Sequence, residues 1–316
     1  IYTPWGWQNF QAWIHAGFDN YLCTPNGLTH RLLTRLATEN LFHPFQPFIL
    51  GQKQLAPKIA AKFGIPLVFY GENEAEFGNP IADNESALRD EHFFAVHDYD
   101  HIYLGGVSLR QLEEDFGIDK ADLALYLPGE TSDIEKNHIQ VRYLGYYERW
   151  HPQGAYYYAV EHGGFVPSPE RTAGTYSKYN SIDDKVDDFF YYTTYIKYGI
   201  GRCTYDAAQE IRNGEITREE AVALCKKYDG EFPARFAGEF FRYISIDKAH
   251  FGKAADCFEQ PEMDLAYFMH LADRFRSPHL WQYQDGVWSL RHTPYAGESL
   301  CRWGAPPAEL AKGGAV

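Results

Sequence analysis

Zinc-ligand spacing is missing from this sequence: no CxxC pair and no HExxH segment occurs in its 316 residues, so no zinc site can be read from it. A GxSxG nucleophile elbow is also missing, which removes the signature of an α/β-hydrolase serine. No uninterrupted apolar run approaches the roughly 18 residues that a membrane-spanning helix requires. The opening Ile1-Tyr2-Thr3-Pro4-Trp5 has neither the basic region nor the apolar core of a signal peptide. Positive charge is scarce, with 29 Lys and Arg against 43 Asp and Glu and a net charge of −14, which speaks against a nucleic-acid or anionic-membrane surface. Cysteine is sparse too. Cys23, Cys203, Cys225, Cys257 and Cys301 are widely spaced and odd in number, so they cannot all pair within the chain, and a reducing compartment fits them best. The cytoplasm is therefore the expected location. A start at Ile rather than Met leads to the expectation of an internal piece of a longer protein.

What the sequence does have is an ordinary globular balance, 45% hydrophobic and 23% charged, which excludes long intrinsic disorder. Its aromatic share of 17% is high, and such side chains serve packing and sugar or base stacking equally well. The first 80 residues alternate like an α/β layer. Helices are expected over Trp7–Ala16, Leu28–Leu41 and Gln52–Phe63, with a strand end at Tyr21–Cys23. The apolar run Ile65–Tyr70, closed by Gly71, reads as a strand buried on both faces of a parallel sheet. Short helices follow at Ser108–Phe116, with Ser108 and Gln111 at capping-box spacing, and at Lys120–Tyr126; a strand is expected at Val141–Tyr147 and a helix at Gly154–His162. A mainly helical region then spans Ser181–Tyr198, Tyr205–Asn213, Thr217–Tyr228 with Thr217 and Glu220 at capping-box spacing, Phe232–Phe258 and Met263–Phe275. Leu280–Arg291 reads as a terminal hairpin around Asp285-Gly286.

Three segments carry chemistry. Gly71-Glu72-Asn73-Glu74-Ala75-Glu76 leaves the end of the apolar strand, where open α/β sheets bind ligands, and its carboxylates and amide could hold Mg²⁺ on a nucleotide or position an amine; a solvated helix start would look the same. Asp183-Asp184-Lys185-Val186-Asp187-Asp188 has the look of an aspartate-rich metal motif, but acids in a first helical turn behind an N-cap at Ser181 are the commoner explanation. Lys197-Tyr198-Gly199-Ile200-Gly201-Arg202 offers either a phosphate or carboxylate fork approached closely by backbone, or a glycine helix stop with dipole-compensating cations. His43, His97, His101 and His162 show no ligand spacing, and the Tyr156–Tyr158 and Tyr191-Tyr192 clusters read first as packing.

Several long stretches together resemble the N-acetyl sugar amidotransferases of the WbpG/PseA type, in the PP-loop ATP pyrophosphatase superfamily. They are His43–Phe48 (HPFQPF), Gly51-Gln52-Lys53, Ile65–Pro80 (IPLVFYGENEAEFGNP), Glu161–Phe165 (EHGGF), Pro169–Thr172 (PERT), Tyr176–Asp184 (YSKYNSIDD) and Ile196–Pro233. The resemblance implies an α/β fold: an incomplete parallel-sheet PP-loop domain, adenine nucleotide alpha hydrolase-like, over residues 1–82. A mainly helical substrate-binding region follows over 83–304, then a tail over 305–316. It implies a cytoplasmic enzyme of bacterial surface-glycan biosynthesis (LPS O-antigen, pseudaminic or legionaminic acid) that uses ATP and Mg²⁺. Such an enzyme adenylates the acetamido group of an activated sugar and lets ammonia convert it to an acetamidino group. A class I glutaminase subunit is the implied source of ammonia.

The superfamily's SGGKDS phosphate loop does not occur in this sequence, so the resemblance implies an N-terminally truncated enzyme whose fragment alone is inactive. Within the resemblance, Glu72, Asn73 and Glu76 are assigned to metal, ribose or ammonia positioning, and Gly71, Gln52 and Lys53 to the nucleotide, the last two at a helix start. Glu170, Arg171, Ser177, Lys178, Tyr179, Asp184, Lys197 and Arg202 are assigned to the sugar and its phosphate or carboxylate. No set of protein ligands to a metal is read. Three other classes stay open: a PP-loop tRNA-modifying enzyme, disfavoured by the charge; a glycoside hydrolase; and a non-catalytic partner protein.

Overall fold

The computed structural model describes residues 1–71 and 85–293, a mixed α/β arrangement with thirteen α-helices among them. Helix α1 (Pro4–His15) starts earlier than its apolar pattern predicts, because Thr3 accepts the Gly6 N–H as N-cap and Pro4 sits where a missing N–H costs nothing. Asn26 likewise caps α2 (Gly27–Leu41), accepting from Leu28 and Thr29. Helix α3 (Gln46–Phe63) begins six residues before the expected Gln52, with a proline in its first turn, and runs through Pro57 to a left-handed Gly64. Gln52 and Lys53 therefore lie inside the helix, where their backbone N–H groups belong to the helix ladder, and the expected helix-start anion site is corrected by this geometry. Tyr21–Cys23 forms no strand.

Strand β1 (Leu67–Tyr70) pairs in parallel with a strand over Gln140–Tyr143, in register Leu67 to Gln140 through Tyr70 to Tyr143. Between them come β2 (Ala95–Val96), β3 (Tyr103–Leu104), β4 (Val107–Ser108), α4 (Leu109–Glu114), α5 (Lys120–Leu123), β5 (Gly129–Glu130) and α6 (Thr131–Lys136), so the strand at Gln140–Tyr143 is β6. A second parallel pair joins β2 to β5. The capping box of Ser108 and Gln111 opens α4 as its spacing predicts. The parallel pairing of β1 was legible, but its burial was not: Val68 and Tyr70 pack on the cluster of Ala60, Phe94, Ile134 and Val141, while Leu67 and Phe69 are 45% and 47% exposed. A continuous apolar run cannot report which face lacks a covering layer.

The rest is helical: α7 (Pro152–Gly163), α8 (Asp187–Tyr198), α9 (Arg202–Asn213), α10 (Arg218–Tyr228), α11 (Ala237–Ile244), α12 (Lys248–Phe251) and α13 (Leu265–Phe275). The continuous helical stretch expected over Phe232–Phe258 is broken into α11, α12 and two 3₁₀ turns. The hairpin is present as β7 (Trp281–Gln284) and β8 (Val287–Leu290), with positive φ at Asp285 and Gly286, the pairing a two-residue I′ turn requires. The aromatic share goes largely into packing here. Phe189 stacks on Phe240 at 3.9 Å and meets Phe268 edge-on at 5.7 Å, and the Trp281 indole N–H donates to the Ile196 carbonyl at 2.7 Å. Arg35 is fully buried, paired with Glu39 at 2.6 Å and donating to the carbonyls of Ile244, Gln260 and Pro261, which ties α2 to the end of α11 and to the chain after α12. No helix of the described residues is long and apolar enough to cross a membrane.

Candidate functional site

A cleft of about 350 Å³ opens where β1 and β6 end. Tyr70 and Tyr143, the last residues of the two paired strands, form one side of it. Helix α3 contributes Phe48, Ile49, Gln52 and Lys53, and the far side is built from Ser181, Asp183 and the α8 residues Asp187, Phe190 and Tyr191. This is the position outside the carboxyl ends of parallel strands at which open α/β layers bind ligands. Arg89 closes the floor, its guanidinium donating to the Tyr143 hydroxyl and lying 4.7 Å from the Phe93 ring centre. The cleft thus has cations on the α3 and strand side and carboxylates on the α8 side.

The acidic side is shaped by a correction to the expected helix. Ser181 does not cap α8: it adopts φ 53, and α8 starts six residues later at Asp187. The intervening chain is held by the N-terminal segment, with the Thr3 N–H donating to the Asp183 carbonyl at 2.9 Å and the Lys185 N–H to the Ile1 carbonyl at 2.9 Å. Asp184 turns its carboxylate back to accept the Val186 N–H at 2.8 Å. Asp187 and Asp188 then fall in the first turn of α8, 7% and 5% exposed. Burial pushes the Asp187 carboxyl up to about 7, against the pull of the Arg202 charge and a hydrogen bond from Ser181. Asp188 is raised well above the carboxylate range by burial and then by the charge of Asp187.

Behind this wall stands a buried polar network. Arg202 pairs with Asp206 at 3.0 Å, donates to the Tyr191 hydroxyl and lies 4.3 Å from that ring's centre. Asp206 also accepts from Thr175 at 2.6 Å and Asn180 at 3.2 Å. Arg171 grips Glu231 through two bonds of 2.5 and 2.6 Å, and Glu231 accepts the Gly174 N–H. Ser177 accepts the N–H groups of Tyr179 and Asn180 at 3.2 Å, and Tyr179 stacks on Tyr156 at 4.3 Å. Lys178 donates to the Pro169 carbonyl, and Glu170 is an exposed partner of Arg235 at 3.7 Å. Lys197, lowered to about 8 by burial, donates to the Leu41 carbonyl at 3.0 Å.

Of the residues singled out from sequence, the cleft gathers Gln52 and Lys53 with the neighbours of Asp184; Arg202 stands one layer behind, at Tyr191. Glu170, Lys178 and Lys197 lie away from it, and Glu72, Asn73 and Glu76 lie outside the described residues, just beyond Gly71. Asp187, Ser181, Arg89, Tyr143 and Tyr191 were missed. Asp187 belonged to the visible acidic run, yet an acid in a first helical turn gives no sign of its burial.

The two readings of the glycines beside Arg202 are separated by the backbone. Gly199 ends α8 at φ 71 with its N–H on the Tyr195 carbonyl. Gly201 makes room for the Asp229 carboxylate, which accepts the Thr204 N–H at 3.2 Å and the Thr204 hydroxyl at the start of α9. A Cβ at residue 201 would overlap that carboxylate. Gly201→Ala is expected to cost about 1–3 kcal/mol, the usual range for overpacking, read as a lower urea midpoint; an unchanged midpoint would show that Asp229 yields freely.

The cleft thus sets one cationic wall against one acidic wall within a mixed α/β chain. Residues 173–294, which span α8 to the terminal hairpin, match the family described as LPS biosynthesis protein WbpG-like, C-terminal domain. That match supports the WbpG-type LPS biosynthesis family. Comparison with curated proteins finds no match.

Proposed function

We propose that this chain acts in an ATP-dependent amidotransferase that converts the N-acetyl group of an activated sugar into an acetamidino group during surface-glycan synthesis. The observation that supports it is the meeting of Gln52 and Lys53 with Asp183 and Asp187 in one cleft at the carboxyl ends of parallel strands, within a chain whose residues 173–294 match the WbpG-like domain. An amide carbon is a poor electrophile because oxide leaves poorly. ATP turns that oxygen into part of an adenylate, pyrophosphate departs, ammonia attacks and AMP leaves. Lys53 and Gln52 would face the nucleotide. In this reading Mg²⁺ enters with the ATP phosphates. The PP-loop relationship, the cytoplasmic location and the glutaminase subunit belong to the same proposal.

The test uses the complete enzyme with ATP, ammonium and N-acetyl sugar nucleotides, following AMP release and the exchange of sugar oxygen for NH by mass spectrometry. Ammonium salts should support turnover, better as pH rises, and glutamine should do so only when a class I glutaminase is added. No cysteine in the sequence stands in a recognisable glutaminase setting, which needs a thiolate with a positioned His. Turnover of glutamine by the isolated enzyme after all five cysteines are replaced by Ser would remove the need for a partner.

A further inference from the structure

We infer that the Asp187 carboxylate, on the first turn of α8 and facing the cleft, accepts the proton that ammonium must lose before it can attack the activated amide. The inference rests on the amidotransferase reading and adds to it a residue and a step. In neutral water ammonia is overwhelmingly ammonium, a cation without a lone pair, so an enzyme using it must both attract the cation and remove one proton. The cleft offers what each task needs. The carboxylate of Asp183 on the cleft wall favours a small cation, and Asp187 stands in the same lining, almost wholly out of solvent.

The charges facing Asp187 come from several elements. Arg202 approaches from α9, and Asp188 and Tyr191 from α8 itself; Ser181, Asp183 and Asp184 lie on the preceding turn, and Lys53 and Arg89 share the cleft. Arg202 is already committed to Asp206 and Tyr191, so its pull on Asp187 is shared, and burial leaves the carboxyl poised near neutrality, where a proton acceptor works best. The step balances. Ammonium passes one proton to the carboxylate, the freed lone pair forms the C–N bond, and the C–O bond to AMP breaks with its electron pair on the phosphate oxygen. The three remaining hydrogens stay on the amidinium product, and the Asp187 carboxyl later returns its proton to water.

Hydroxylamine is uncharged at neutral pH and needs no such acceptor. In the complete enzyme, Asp187→Asn should therefore slow turnover with ammonium about 100-fold, the low end for lost general-base assistance, and leave turnover with hydroxylamine nearly unchanged. The wild-type rate with ammonium should rise through about pH 7 and then level off, whereas the variant, left to free ammonia, should keep rising with pH. Equal losses with both nucleophiles, or no loss with either, overturn the inference. Carbon-13 NMR of the wild-type Asp187 carboxyl provides a second reading that depends on neither catalysis nor the variant's folding. Its signal should titrate near neutrality and shift on adding ammonium chloride but not sodium chloride; no ammonium-specific shift overturns the inference. Wild-type enzyme that makes no amidine from any nucleophile, with the ammonium-specific shift intact, would instead overturn the amidotransferase reading.

Discussion

Arg202→Ala is expected to destabilise the protein by about 3–5 kcal/mol, the range for removing one partner of a buried ion pair. Arg202 is 8% exposed and is the cation between Asp206 and Asp187, with the Tyr191 hydroxyl as a further acceptor. Its loss leaves two carboxylates without their counter-charge in surroundings that already resist ionisation. Arg202→Lys should recover only part, because one ammonium cannot reach Asp206 and the tyrosine in the same planar geometry. Urea unfolding checks this through the midpoint at constant slope, and a loss below about 1 kcal/mol would show that water enters to solvate the acids. The deficit should shrink in acid, where Asp187 is protonated and asks for no counter-charge.

Asp187→Asn is expected to stabilise the folded protein by about 4 kcal/mol above pH 7 and to change little near pH 4. The folded-state carboxyl titrates at about 7 against an ordinary value of 3.8. A raised carboxyl favours folding fully below its unfolded value, and that advantage is lost as pH climbs through the folded value; three units at about 1.4 kcal/mol each give the size. Asp229, raised to about 6 by burial, contributes in the same direction. His30 and His43 run the other way. Burial lowers both to about 4 from 6.5, so their contribution is intact above pH 6.5 and is lost as pH falls to 4. Melting temperatures of wild type and variant from pH 4 to 8 should diverge only as pH rises. Parallel curves would mean that Asp187 is ionised throughout. A residue that costs stability where it would work is a familiar mark of a functional site.

Local signals were legible wherever a few neighbouring residues decide the outcome. The capping boxes at Ser108 and Thr217, the helix stops at Gly64, Gly199 and Gly214, and the Asp285-Gly286 turn are all where their chemistry puts them. The candidate site was half legible: Gln52 and Lys53 were named through the family resemblance, and nothing in the acidic run marked out Asp187. Its character depends on Ser181 taking a left-handed turn and on Arg202 arriving from the next helix, and neither leaves a periodic trace. Arg35 was invisible for a similar reason. It sits on the buried stripe of α2 as an apparent exception, satisfied there by Glu39 one turn on and by carbonyls of residues more than 200 positions away.

The half-exposed side of β1 has a practical consequence for anyone handling this chain. Leu67 and Phe69 lie on the side of β1 away from its packed cluster, and among the described residues β1 has a hydrogen-bonded neighbour on one edge only. A strand that shows both a bare edge and an oily face invites other copies to stack against it. Concentrated solutions should therefore grow turbid from the sheet outward, and a charged residue at Phe69 would act as a solubility tag in place of one added at a terminus.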